Sequence, residues 1–196
     1  MRSASLALIL AGLIAAACSQ AEPEVVLTLP PVADERLAQP PQPPSPVEVS
    51  DAAERTRDEL LREAGKGSLR GLAVIAARNP DFRSNVGGQD HQQFWDLLRR
   101  TGVDPNRKLR ELFDQPVGVR EIDGQRWYVW PDLAAKDAAD LIPEKLSFQD
   151  RRRLEELIRE DGIARIRAGE GYPGMRTAIA EDGTWIYFVL GQDGEE

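Results

Sequence analysis

The sequence predicts an α+β domain, several short helices packed on a small antiparallel sheet. Two stretches, "VGVREIDGQRWYVW" and "MRTAIAEDGTWIYFVL", alternate in polarity and are each split by Asp-Gly, the two-residue signature of a β-hairpin turn. Before and between them lie short amphipathic segments with clear start and stop residues. The order is helices, a hairpin, two helices, then a second hairpin.

The first helix is expected over Ala52–Ala64, because Asp51 and Glu54 stand at capping-box spacing and Gly65 follows the end. "SLRGLAVIAARNP" suits either a buried strand or a short helix, ended by Pro80. Asp90 then caps "HQQFWDLLRR", which Gly102 stops, and Asp104-Pro105 opens "PNRKLRELF". Phe94, Leu97 and Leu98 make one apolar stripe and Leu109, Leu112 and Phe113 the other, so the two helices should pack as a hairpin.

A two-residue turn at Asp123-Gly124 sets Glu121 opposite Arg126, Arg120 opposite Trp127 and Val119 opposite Tyr128. The first pair is an ion pair and the second a cation beside an aromatic ring. Val117, Val119, Tyr128 and Trp130 then share one face, and Ile122, Trp127 and Val129 the other. Asp132 should cap "LAAKDAADLI" up to Pro143, and Ser147 with Asp150 should open "FQDRRRLEELIRED" up to Gly162. In the latter helix Leu154, Leu157 and Ile158 form the buried stripe. Arg152 with Glu156 and Glu155 with Arg159 form i,i+4 pairs on a solvated face, and the triple Arg151-Arg152-Arg153 reads as structural. A two-residue turn at Asp182-Gly183 places Ile179 opposite Ile186, Thr177 opposite Phe188 and Met175 opposite Leu190. Ala178 then meets Tyr187 and Ala180 meets Trp185 on the other face.

The domain expected over residues 51–196 is preceded by two segments of different composition. Met1–Ser3 carries one positive charge, Leu6–Ala17 is an apolar run, and Cys18-Ser19-Gln20 turns polar, the order of parts in a secretory signal. The run is shorter than the roughly 20 residues a transmembrane helix needs. The stretch Leu13-Ile14-Ala15-Ala16-Ala17-Cys18 resembles the lipobox of bacterial lipoproteins, with Ala15 where leucine usually stands. The resemblance implies a signal peptide over residues 1–17, cleavage before Cys18, and lipid attachment at that cysteine. For a Gram-negative source, the resemblance further implies that Ser19, in place of aspartate, points to the outer membrane, with the domain facing the periplasm. Several acyl chains give stable anchoring where a single chain gives only marginal binding.

From Gln20 to Ser50 the chain holds eight of its fourteen prolines and too little apolar surface to fold, so residues 18–50 read as a lipid-anchored, disordered tether. Its Pro40-Pro41-Gln42-Pro43-Pro44-Ser45-Pro46 run favours extended polyproline II.

Chemistry is sparse. The formal charge of −8 and an export signal exclude a nucleic-acid partner, whose phosphates need clustered positive charge. One cysteine and one histidine, far apart, leave no zinc set, and "IDGQ" and "EDGT" lack the alternating ligands of a calcium loop. His91 sits in the first turn of a capped helix with no nucleophile elbow in the chain, and reads as a surface residue near the cap. Glu121 and Glu181 are the carboxylates nearest the aromatic strands, but Glu121 has Arg126 opposite it. The expectation is therefore a non-catalytic envelope module with no cofactor and no metal, binding an envelope protein, or, as the alternative, a glycan. A hydrolase is the least favoured reading.

Half of the twelve aromatic residues, Trp127, Tyr128, Trp130, Trp185, Tyr187 and Phe188, lie on two short strands. On an open face Trp127, Trp185 and Tyr187, with Arg120 beside Trp127, could form a binding platform; under helices the same rings would be core.

Overall fold

The computed structural model describes residues 47–85 and 90–191. The signal peptide, Cys18 and the tether up to residue 46 lie outside the described residues. The described chain is an α+β domain with helices α1 (Asp51–Gly65), α2 (Leu69–Ala76), α3 (His91–Arg100), α4 (Pro105–Phe113) and α5 (Phe148–Arg167). Its strands are β1 (Gly118–Ile122), β2 (Gln125–Trp130), β3 (Arg176–Ala180) and β4 (Trp185–Val189). The strands form one antiparallel sheet in the order β1-β2-β3-β4, so the two hairpins lie side by side through β2 and β3.

Helix starts follow the side chains that can satisfy free N–H groups. Asp90 accepts from Gln92 N and Gln93 N, and Asp104 accepts from Asn106 N with Pro105 behind it, as expected. α1 is capped one residue earlier than expected, by Ser50, whose hydroxyl accepts from Ala53 N. The same residue ties the helix to the sheet, since Ser50 N donates to Tyr128 Oη at 3.0 Å and Ser50 Oγ to Glu181 O at 2.7 Å. The ambiguous segment is helical, α2, capped by Ser68.

Both faces of the sheet are covered, and this decides which aromatics are core. On one face, α1–α4 enclose Tyr128, Trp130, Ile179, Trp185 and Phe188. On the other, Val129 and Ala178 pack with Leu133, Leu141, Leu154, Ile163 and Ile166 from α5 and the segment before it. In α3 the fully buried residue is Trp95, while Leu97, expected in the stripe, is exposed. α3 lies mainly along α2 and α4 along α1, and α3 and α4 touch each other less than either touches those neighbours.

Three further expectations fail, each for a reason the structure shows. No helix runs from Asp132 to Ile142: a 3₁₀ turn over Asp132–Ala135 stops where Lys136 becomes extended, and a second over Pro143–Lys145 begins where a stop was expected. The Asp132 carboxylate does not cap a helix because Arg153 takes it, at 2.5 Å and 3.4 Å, and Arg153 also binds Asp150 at 3.1 Å. α5 runs past Gly162 to Arg167, with a kink at Arg159, whose φ of 57° interrupts the helix. Gly162 serves the kink, since a Cβ there would meet Ile158 Cβ at 2.7 Å. The Arg152–Glu156 pair forms at 3.2 Å, but no ion pair joins Glu155 to the displaced Arg159 among the described residues.

The third concerns the second hairpin. The first has the expected register, with Asp123 and Gly124 at φ 53° and 78°, the left-handed pair that a type I′ turn requires. In the second, Ala180 N donates to Thr184 O at 2.8 Å, so three residues, Glu181–Gly183, make the turn and Gly183 takes φ 90°. Thr177↔Phe188 and Ala178↔Tyr187 pair as expected, but Ile179 opposes Trp185, because a bulge between Ala178 and Ile179 absorbs one residue of β4. Trp185 is thereby turned to the face opposite Tyr187.

Candidate functional site

The bulge dismantles the three-ring platform. Trp185 is 2% exposed, packed with Phe82, Trp95 and Phe188 under the helices, and its Nε1 donates to Thr177 Oγ1 at 2.9 Å. It is a core residue, and the expectation that it shares a binding face with Trp127 is corrected.

Trp127 and Tyr187 do meet on the other face. They are half-buried, with ring centroids 6.3 Å apart and planes at 62°. Completely buried Ala178 and Ala180 lie opposite Tyr187 and Trp127 in the strand register, small side chains that leave the rings room. The indole is held in place: Trp127 Nε1 donates to Gln125 Oε1 at 3.2 Å, and Gln125 Nε2 donates to Asp182 Oδ2 at 3.3 Å. This relay links the turns of the two hairpins. Reading the sequence for Trp127 alone misses Gln125, although period-two spacing places the pair on one face.

Arg120 is the register partner of Trp127, as expected, but its guanidinium reaches Asp137 at 3.9 Å. Arg126, expected to pair with Glu121 across the first hairpin, approaches Glu181 of the neighbouring turn at 3.7 Å. Glu121 and Glu181 thus lie at one end of the sheet around a shared arginine, both exposed. No group of three or more His, Cys, Asp or Glu side chains among the described residues is arranged to hold a metal ion.

His91 is not the exposed cap residue expected. It is half-buried, edge-on to Phe82 at 4.9 Å and beside Trp95 at 6.0 Å, with Nδ1 3.0 Å from Ser84 Oγ. Burial holds its pKa below the usual imidazole range, partly offset by the Asp90 carboxylate. No helix among the described residues is long and apolar enough to cross a membrane. Comparison with family models, with curated proteins and with solved structures returns no match to this chain.

Proposed function

We propose that this chain is a lipid-anchored protein of a bacterial cell envelope whose folded domain binds a partner and is not a catalyst. The observation that carries the reading is the order of parts around Cys18: one basic residue, an apolar run, three alanines, then the chain's single cysteine. An exported protein with one leftover thiol risks unwanted pairing, and thioether attachment removes that risk. The proline-rich segment after it supports a spacer role. Its Pro40–Pro46 run, extended as polyproline II at about 3.1 Å per residue, would add a semi-rigid span of about 20 Å to that spacer. Ser19 favours the outer membrane, with the domain in the periplasm. The test is the mass and membrane partition of the mature chain, compared with Cys18→Ser.

For the partner, an envelope protein remains the first reading, and one observation supports glycan as a second. Trp127 and Tyr187 offer half-exposed rings beside an ordered amide and carboxylate, a combination that suits the C–H faces and hydroxyls of a sugar. Trp95, Trp130 and Trp185 are buried, so quenching by added muropeptides reports on Trp127. Saturable quenching that Trp127→Phe abolishes supports the glycan reading; no response at millimolar ligand rejects it.

A further inference from the structure

Phe82–Asn85 forms a strap along the outer edge of β4. Arg83 N donates to Ile186 O at 3.1 Å and Arg83 O accepts from Phe188 N at 3.0 Å, so one residue bridges in parallel to Tyr187. Two residues on, Asn85 Oδ1 accepts from Leu190 N at 2.6 Å and its Nδ2 donates to Gly191 O at 3.2 Å. The strap thus covers backbone groups that would otherwise offer an open strand edge.

Its inner side rests on α3 at His91. Ser84 Oγ lies 3.0 Å from Nδ1, and the Phe82 ring stands edge-on to the imidazole at 86°. Behind them Trp95, Trp185 and Phe188 complete an apolar ring cluster. His91 is the only histidine in the chain, and so the side chain whose ordinary titration falls between pH 5 and 8. Among the charged groups around it, Asp90 already accepts two N–H bonds at the start of α3, and Asp81 and Arg83 are exposed on the strap side. An imidazolium here keeps its bond to Ser84 but loses hydration against Phe82 and Trp95, a cost that the Asp90 carboxylate partly offsets.

We propose that the strap is an acid-released latch: protonation of His91 detaches Phe82–Asn85 from β4 while the rest of the sheet stays folded. The closed strap accommodates the neutral ring, and burial lowers its pKa in that state. The open state titrates nearer the ordinary value of about 6.5 and takes up the proton first as pH falls. Opening is therefore unaffected above about pH 6.5 and grows below it. Once released, β4 presents Phe188 N and Leu190 N as free donors.

Those amides are the reporters. Hydrogen exchange of the full chain, resolved by NMR and corrected for the intrinsic pH dependence, should lose protection at Arg83, Phe188 and Leu190 between pH 7.5 and pH 5. Amides of the β2–β3 ladder should hold theirs. The loss approaches about tenfold per unit by which the closed strap depresses the His91 pKa. In His91→Gln the acid step should vanish. Should that variant misfold, the wild type suffices: the midpoint of the loss must coincide with titration of the His91 ring protons. No loss in wild type, an equal loss in His91→Gln, a uniform loss across the whole sheet, or a mismatched midpoint each overturns the latch.

Discussion

Trp185 Nε1 donates to Thr177 Oγ1 at 2.9 Å, and the same hydroxyl donates to Tyr187 O at 2.8 Å, within a hairpin whose Trp and Thr are both buried. A tryptophan on the turned face of a bulged strand therefore has its polar atom satisfied inside the core, which marks it as structural.

Thr177→Val keeps the shape and removes the hydroxyl, leaving a buried indole N–H without a partner. The expected cost is about 1–3 kcal/mol, read as a lower denaturation midpoint at unchanged m-value. Unchanged stability would show that the relay contributes nothing.

Two turn glycines should respond differently to alanine. Gly124 takes φ 78° with open space around it, so Gly124→Ala should cost about 1 kcal/mol of backbone strain. Gly183 takes φ 90° and a Cβ there would lie 2.8 Å from Ala52 O, against the first turn of α1. Gly183→Ala must therefore shift that contact as well, including the bond from Thr56 Oγ1 to Gly183 O at 2.7 Å. Thermal melts should place it clearly below Gly124→Ala; equal midpoints would mean that α1 is not seated on this turn.

The half-exposed and buried tryptophans of β2 provide a third comparison. Trp130, packed edge-on to Phe113 at 5.1 Å, should cost about 3–5 kcal/mol when replaced by alanine. Trp127→Ala, at the rim of its cluster, should cost distinctly less. If the two chemical denaturation curves coincide, Trp127 is core and the candidate site is lost.

Much of the fold is legible in the sequence wherever one residue decides a local outcome. Asp90, and Asp104 with Pro105, announce their helices because a carboxylate one place before a helix has few other uses. Asp123-Gly124 sets the first hairpin's register because both positions tolerate left-handed φ. The same dipeptide at Asp182-Gly183 misleads, since Ala180 and Thr184 close a three-residue loop around it, and one extra residue inverts the face of Trp185. Asp132 misleads in another way: its claim on a helix cap is overridden by Arg153, twenty-one residues away, which no local pattern reveals. The Trp127–Tyr187 part of the site is legible from period-two spacing, whereas the burial of Trp95 depends on Phe82 and Trp185 arriving from other elements.

Lipid attachment at Cys18 is read out by intact-mass analysis of the mature chain, purified from membranes of a Gram-negative host. The expected mature chain begins at Cys18, fractionates with the membrane and carries the added mass of a diacylglyceryl group and an acyl chain, all lost in Cys18→Ser. A soluble wild-type chain beginning at an unmodified Cys18 would contradict it.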